Sequence, residues 1–396
     1  MPETTTTSEP ELTRRGPHRV GVLETRVRVP TAAGEPERLL PTAVWYPAAP
    51  ARDDGGARSH DVEAPHPLGL PHRAVPALPP HARPAPLVVF SHGNSGLSHQ
   101  STFLTTHLAS WGIVVAAPDH VGNTFREMLA LPDDEARRAT HRRIRAWRPH
   151  DLHAVLRALV DGRSGAEASG TGDALPPVDP ARLGALGHSF GGWTAIKLAA
   201  LEPRLRAVCG LAPVAEPFVG RRAFADGELP LPSGVRSLVL AARDDVLVDL
   251  DTSIRPLFER LGPGARLEII DDADHFHFCD GIGLLHRMHE ANPREGQPRP
   301  TRPFAELQPE DAMHALLSGR VTRFFADTIG TDATPCAGRD TRPDGARRGP
   351  GRNGGADAVR VRAAEARGVA GASDSSGRGR AQAEARSGVG RPKSQP

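Results

Sequence analysis

Apolar residues recur along this chain in two rhythms that take turns. From Arg19 to Val29 the apolar positions alternate through Val20, Val22, Val27 and Val29, with Thr25 between them, predicting an edge strand. Leu39 to Tyr46 is a second apolar run, closed by Pro47, and the two predict an opening antiparallel ribbon. Pro86 to Phe90 and Ile113 to Ala117 are short, unbroken and β-branched, the pattern of strands covered on both faces. Ala181 to Leu186, Arg206 to Leu211, Val235 to Ala241 and Arg266 to Ile270 repeat that pattern. Between them the period lengthens to that of a helix. Phe103, Leu104, His107 and Leu108 mark one over 100–111; Leu152, Val155, Leu156 and Leu159 mark another over 149–161. Further helices are predicted over 193–201, 250–261 and 309–328, the last with Met313, Leu316, Leu317, Val321 and Phe324 on its inner face. Strands alternating with helices predict an α/β fold, a mostly parallel central sheet with helices on both faces.

Four stretches keep neither rhythm. Residues 1–17 are rich in Thr, Glu and Pro and read as a disordered lead-in. Ala48 to Pro84 is dominated by Pro, Ala, Arg and His; its His60, His66, His72 and His81 are irregularly spaced, which favours a solvated loop insertion over a metal tract. Val121 to Arg148 interrupts the alternation and is expected to be a cap or, more blandly, a solvated surface helix. From Thr331 onward large apolar residues almost vanish, so a disordered Gly/Ala/Arg-rich tail is expected, leaving one domain over 18–330.

Composition sharpens this only in part. The 39 prolines and 41 glycines among 396 residues point to much loop. The net charge of +2 is unevenly placed: residues 331–396 carry twelve Arg and one Lys against seven Asp and Glu, a balance of +6 that leaves −4 for the rest. The basic tail could touch nucleic acid non-specifically, but no specific nucleic-acid partner is expected. Cys209, Cys279 and Cys336 have neither disulfide-framework nor zinc spacing. The first 17 residues show no apolar signal segment and no run approaches a membrane span, so a cytoplasmic location is expected. The number of subunits is left open.

Chemistry concentrates at Gly187-His188-Ser189-Phe190-Gly191, a G-x-S-x-G between a strand and a helix. That context predicts a nucleophile elbow, with Gly187 and Gly191 needed because a side chain there would meet the adjoining strand and helix. A serine needs a base, and the base a third group to orient it. Loops after strands supply candidates: His275 for the base and Asp244 for the acid, with Asp245 its rival by one residue and Asp249 and Asp251 better suited to capping a helix. His277, two residues on, is expected to be a satisfied buried histidine; a metal site from His275, His277 and Asp280 lacks further ligands, so none is expected. Backbone N–H groups of Asn94 and Phe190 are expected to form the oxyanion hole.

The segments LPTAVWYPA (40–48), VVFSHGNSG (88–96), APDHVGNT (117–124), LGHSFGG (186–192) and DHFHFCD (274–280) resemble the α/β-hydrolase superfamily. Within it they resemble the branch of platelet-activating-factor acetylhydrolases and dienelactone-hydrolase-like esterases, over about residues 18 to 330. The resemblance implies an α/β-hydrolase fold, Ser189 as nucleophile, His275 as base and an oxyanion hole at Asn94 and Phe190. Acetylhydrolases of this kind carry their acid soon after the strand following the nucleophile, where this chain has Ala212-Pro213, and dienelactone hydrolases proper use Cys where it has Ser189. The expected function is a cofactor-independent serine carboxylic-ester hydrolase acting on small-molecule or lipid esters through an acyl-enzyme. An acyltransferase or lyase on the same fold, or a non-catalytic binding protein, is the alternative.

Overall fold

The computed structural model describes residues 9–30, 37–50, 62–162, 166–168, 175–293, 296–332 and 361–365. Its strands are β1 (Val20–Val29), β2 (Arg38–Pro47), β3 (Val75–Pro76), β4 (Ala85–Ser91), β5 (Val114–Pro118), β6 (Ala166–Ala168), β7 (Val178–His188), β8 (Leu205–Leu211), β9 (Arg236–Ala242), β10 (Ala265–Ile270) and β11 (Val361–Glu365). Its α-helices are α1 (Glu9–Leu12), α2 (Thr102–Ser110), α3 (Phe125–Leu129), α4 (Asp134–Asp161), α5 (Phe190–Leu201), α6 (Glu216–Val219), α7 (Arg255–Leu261), α8 (Ile282–Ala291) and α9 (Glu310–Ile329). One sheet runs in the order β11-β10-β9-β8-β7-β4-β5-β2-β1-β3. Strands β5, β4, β7, β8, β9 and β10 pair in parallel, and β1 and β2 form the antiparallel ribbon.

The two-residue period of β4 divides the core. Leu87 and Val89 face a cluster with Leu152, Val155, Leu156, Ile196 and Leu257 from α4, α5 and α7. Val88 and Phe90 face a second cluster with Leu104, Leu108, Leu317, Val321 and Phe324 from α2 and α9. A strand covered on both faces must be apolar on both, which is why β4 and β5 read as unbroken runs. The parallel strands therefore all end at one edge of the sheet, where loops can meet.

Four expectations need correction. The cap over 121–148 and the helix beginning at Pro149 are largely one element, since α4 runs from Asp134 to Asp161 with Pro149 inside it. Proline removes one helical N–H, but Arg148, Leu152, Val155 and Leu156 are buried and hold the turn by packing. The lead-in is ordered from Glu9: Leu12 is buried, its carbonyl accepts from His107 Nε2 at 2.9 Å, and the Arg14 carbonyl accepts from Trp111 Nε1 at 3.0 Å.

The His-rich insertion is not solvated over its described part, because His66 and His72 are buried against Trp45 and His99. Trp45 Nε1 donates to His72 Nε2 at 2.8 Å. Burial lowers the His72 pKa and takes that of His99 down to about 3, so the pair is neutral at physiological pH. Within the tail, Val361–Glu365 pairs antiparallel with β10. An edge strand leaves backbone groups unpaired, and a short segment can add to that edge through main-chain hydrogen bonds without burying large side chains. Residues 1–8, 51–61, 333–360 and 366–396, with His60 and Cys336, lie outside the described residues. Among the described residues no helix is long and apolar enough to cross a membrane.

Candidate active site

Ser189 follows β7 directly and opens α5, at φ 54° and ψ −117°. A non-glycine residue pays on the order of 1–3 kcal/mol for such a conformation, so the surroundings must impose it. They do so through the backbone: Ser189 N–H donates to the Leu211 carbonyl at 2.8 Å, and its own carbonyl accepts from Gly192, Trp193 and Val214. The flanking glycines make the turn possible. A Cβ on Gly187 would stand 2.1 Å from the Gly191 oxygen, and one on Gly191 would stand 1.8 Å from the Ser91 oxygen. No side chain fits at either position, which is the packing that the sequence motif implied.

His275 lies in the short helical turn His275–Phe278 after β10, and Asp245 in the loop after β9. His275 Nδ1 donates to Asp245 Oδ2 at 2.8 Å, and both side chains are buried. The other oxygen, Asp245 Oδ1, accepts from the N–H groups of Leu247 at 2.8 Å and Val248 at 2.7 Å. Such a carboxylate is fully engaged and cannot swing. Asp244, the residue expected there, is instead paired with Arg302 at 2.9 Å. The reason is local: Asp244 N–H donates to the Ala273 carbonyl, extending the β9–β10 pairing past the strand ends and turning the next residue inward. Asp249 caps the following helical turn, as expected, accepting from Asp251 and Thr252.

His188 joins the elbow to His275. Its ring lies 4.6 Å from that of His275, and its Nε2 donates to the His275 carbonyl at 3.1 Å. Gln100 Nε2 donates to His188 Nδ1 at 2.8 Å, while Gln100 Oε1 accepts from Gly93 N–H at 2.8 Å. This chain of three bonds ties the loop after β4, the elbow and the His275 loop together, and nothing in the sequence pattern had singled out Gln100 or His188. Burial, reinforced by His275, holds the His188 pKa well below the ordinary histidine range, so its ring is neutral and its tautomer fixed.

Gly93 brings the loop after β4 against the serine, since a Cβ there would be 3.6 Å from that of Ser189. Asn94 follows it, and Ser95 turns at φ 59°. Among the described residues the backbone N–H groups of Asn94 and Phe190 give no hydrogen bond within the protein. His277 is buried with Nδ1 2.7 Å from Asp274 Oδ1, and Asp280 receives the N–H groups of Thr102 and Phe103 at the start of α2. His275, His277 and Asp280 thus serve three different partners. Cys209 and Cys279 are buried and their thiols are pushed up by burial, which keeps them protonated.

The sequence model of the PET hydrolase-like family matches residues 145–288, and that of platelet-activating factor acetylhydrolase, isoform II, matches residues 70–145. Lipase 1 of Moraxella sp. (strain TA144) is 30% identical over 173 residues, 43% of this chain and 41% of that protein. Cutinase 2 of Thermobifida cellulosilytica is 28% identical over 192 residues, 48% of this chain and 60% of that protein. The chain therefore spans about half the length of the curated relatives it matches. A solved ferulic acid esterase from Streptomyces cinnamoneus superposes with a TM-score of 0.57 at 22% identity, covering 78% of this chain and 90% of that one.

Proposed function

We propose that this chain, which belongs to the α/β-hydrolase superfamily, is a serine carboxylic-ester hydrolase in which Ser189, His275 and Asp245 act as a triad. The observation that carries the reading is the strained Ser189 at φ 54°, between two glycines with no room for a side chain and next in the chain to His188, whose ring lies 4.6 Å from that of His275 in the buried His275–Asp245 pair. Strain of this kind persists only where the fold over-determines it, and here it lifts one hydroxyl above the sheet edge. The lipase and cutinase relatives and both family matches support the reaction class.

His275 would take the Ser189 proton as Oγ attacks the ester carbonyl, and Asp245 would hold the resulting imidazolium in place. The oxyanion would be received by the N–H groups of Asn94 and Phe190, the latter at the first turn of α5, where the helix dipole adds favourable potential. His275 would then protonate the leaving alcohol, and water would release the acid by the reverse sequence. Protein groups carry every step, so no cofactor is invoked.

Apolar side chains stand exposed on α3, whose start pairs with Gly96 of the loop after β4, and on α8, which follows the His275 loop: Phe125 and Leu129 on the first, Leu284 and Met288 on the second. They favour esters with an apolar acyl or alcohol part. A chain-length series of p-nitrophenyl esters, run beside a polyester film and a phospholipid, tests this. We expect hydrolysis of the soluble series with a preference beyond acetate; no hydrolysis of any member would remove the proposal.

A further inference from the structure

Arg148 lies outside the triad, yet its guanidinium is fully buried and reaches toward both residues assigned to the oxyanion hole. Nη1 donates to Asn123 Oδ1 at 2.6 Å, and Asn123 Nδ2 donates onward to Asn94 Oδ1 at 3.0 Å. Nη2 donates to the His92 carbonyl in the same loop and to Ser91 Oγ at 3.0 Å. Nε donates to Thr194 Oγ1 at 3.2 Å, and that hydroxyl donates to the Phe190 carbonyl at 2.8 Å. The guanidinium carbon also stands 4.7 Å from the centre of the Phe190 ring. One planar group is therefore fixed to the Asn94 loop on one side and to the first turn of α5 on the other.

A buried cation persists only where it is paired and hydrogen-bonded. Burial lowers the Arg148 pKa to about 9, which leaves it charged at neutral pH, and Asp151 one helical turn on opposes that shift. Asp151 is held in turn by Arg38 and by His120 Nδ1 at 3.0 Å, while His120 Nε2 accepts from Ser91 Oγ at 2.9 Å. Ser91, His120 and Asp151 repeat the bonding order of a catalytic triad. Ser91, however, is wholly buried with Arg148 on its Oγ, so the set fixes the guanidinium and offers no accessible nucleophile.

We propose that Arg148 is a positioning residue that holds the Asn94 and Phe190 N–H groups in register for the oxyanion. The proposal rests on the serine-hydrolase reading. Oxyanion donors work because they are aimed before charge develops, and a donor free to drift loses most of that benefit. Loss of Arg148 should therefore weaken transition-state binding and leave ground-state binding almost untouched.

The test uses the full chain with a soluble p-nitrophenyl ester and a trifluoromethyl ketone. The ketone is attacked by the serine Oγ, the proton passes to the base, and the carbonyl oxygen becomes a tetrahedral oxyanion. For Arg148→Met we expect kcat to fall roughly 100-fold and ketone affinity to fall by the same factor, with KM within about threefold. Unchanged kcat and ketone affinity in folded Arg148→Met, or a rise in KM alone, would overturn the proposal. Should that variant fail to fold, Asn94→Ala and Thr194→Val each cut one arm and keep both backbone donors. Each is expected to lower kcat and ketone affinity together by about tenfold, and unchanged values in both would equally overturn it. Wild type separates the two claims: without hydrolysis or ketone inhibition there, the serine reading itself fails, whereas active wild type with equally active variants refutes Arg148 alone.

Discussion

Replacing Ser189 with alanine is expected to lower turnover of an activated ester by about a million-fold, leaving a small residue from the oxyanion donors and binding alone. The size of the effect follows from the triad acting as a unit: without Oγ there is no covalent intermediate, and His275 and Asp245 have nothing to activate. The fold should survive, because the tight contacts at the elbow are made by the backbone and by Gly187 and Gly191, and alanine removes only a hydroxyl. Initial rates measured beside a thermal melt check both parts. A Ser189→Ala protein that melts like wild type and still hydrolyses at more than a thousandth of its rate would show that another group does the chemistry.

The next largest effect separates two adjacent carboxylates. Asp245→Asn is expected to lower kcat roughly ten-thousandfold, because an amide facing His275 Nδ1 can turn its NH2 toward the ring and favour the wrong tautomer. Asp244→Asn should change kcat by less than about tenfold, since that side chain meets Arg302 at the surface, where ion pairs contribute little. Stopped assays of both variants on one substrate give the ratio directly. A larger loss in Asp244→Asn than in Asp245→Asn would reverse the assignment.

That one-residue difference marks where sequence reasoning stops. Strands β4, β5, β7, β8 and β9 were legible because a strand covered on both faces has to be apolar throughout, and the elbow because glycine alone fits beside Ser91 and Gly191. Asp244 and Asp245 follow the same strand and differ only in how a turn directs them. Both Asp245 and Asp249 accept backbone N–H groups two and three residues on, so even the local bonding signature does not tell the carboxylate facing His275 from the helix cap.

Arg148 and His72 were missed for a different reason. An arginine in a basic helical run and a histidine among prolines read as solvated, because nothing nearby in sequence buries them. Their partners come from afar: Ser91, His92, Asn123 and Thr194 for Arg148, and Trp45 and His99 for His72. Gln100 is a like case, a residue between a glycine-rich turn and α2 whose amide finds Gly93 and His188 only once the sheet has formed.

The central claim is that a single hydroxyl, at the end of β7, is made nucleophilic by its surroundings. Treating the folded protein with a fluorophosphonate and mapping the adduct by peptide mass spectrometry tests it most directly. One adduct on Ser189, absent from Ser189→Ala and formed far more slowly in Asp245→Asn, is the predicted result; an active protein that takes no label, or takes it on another residue, would contradict the account.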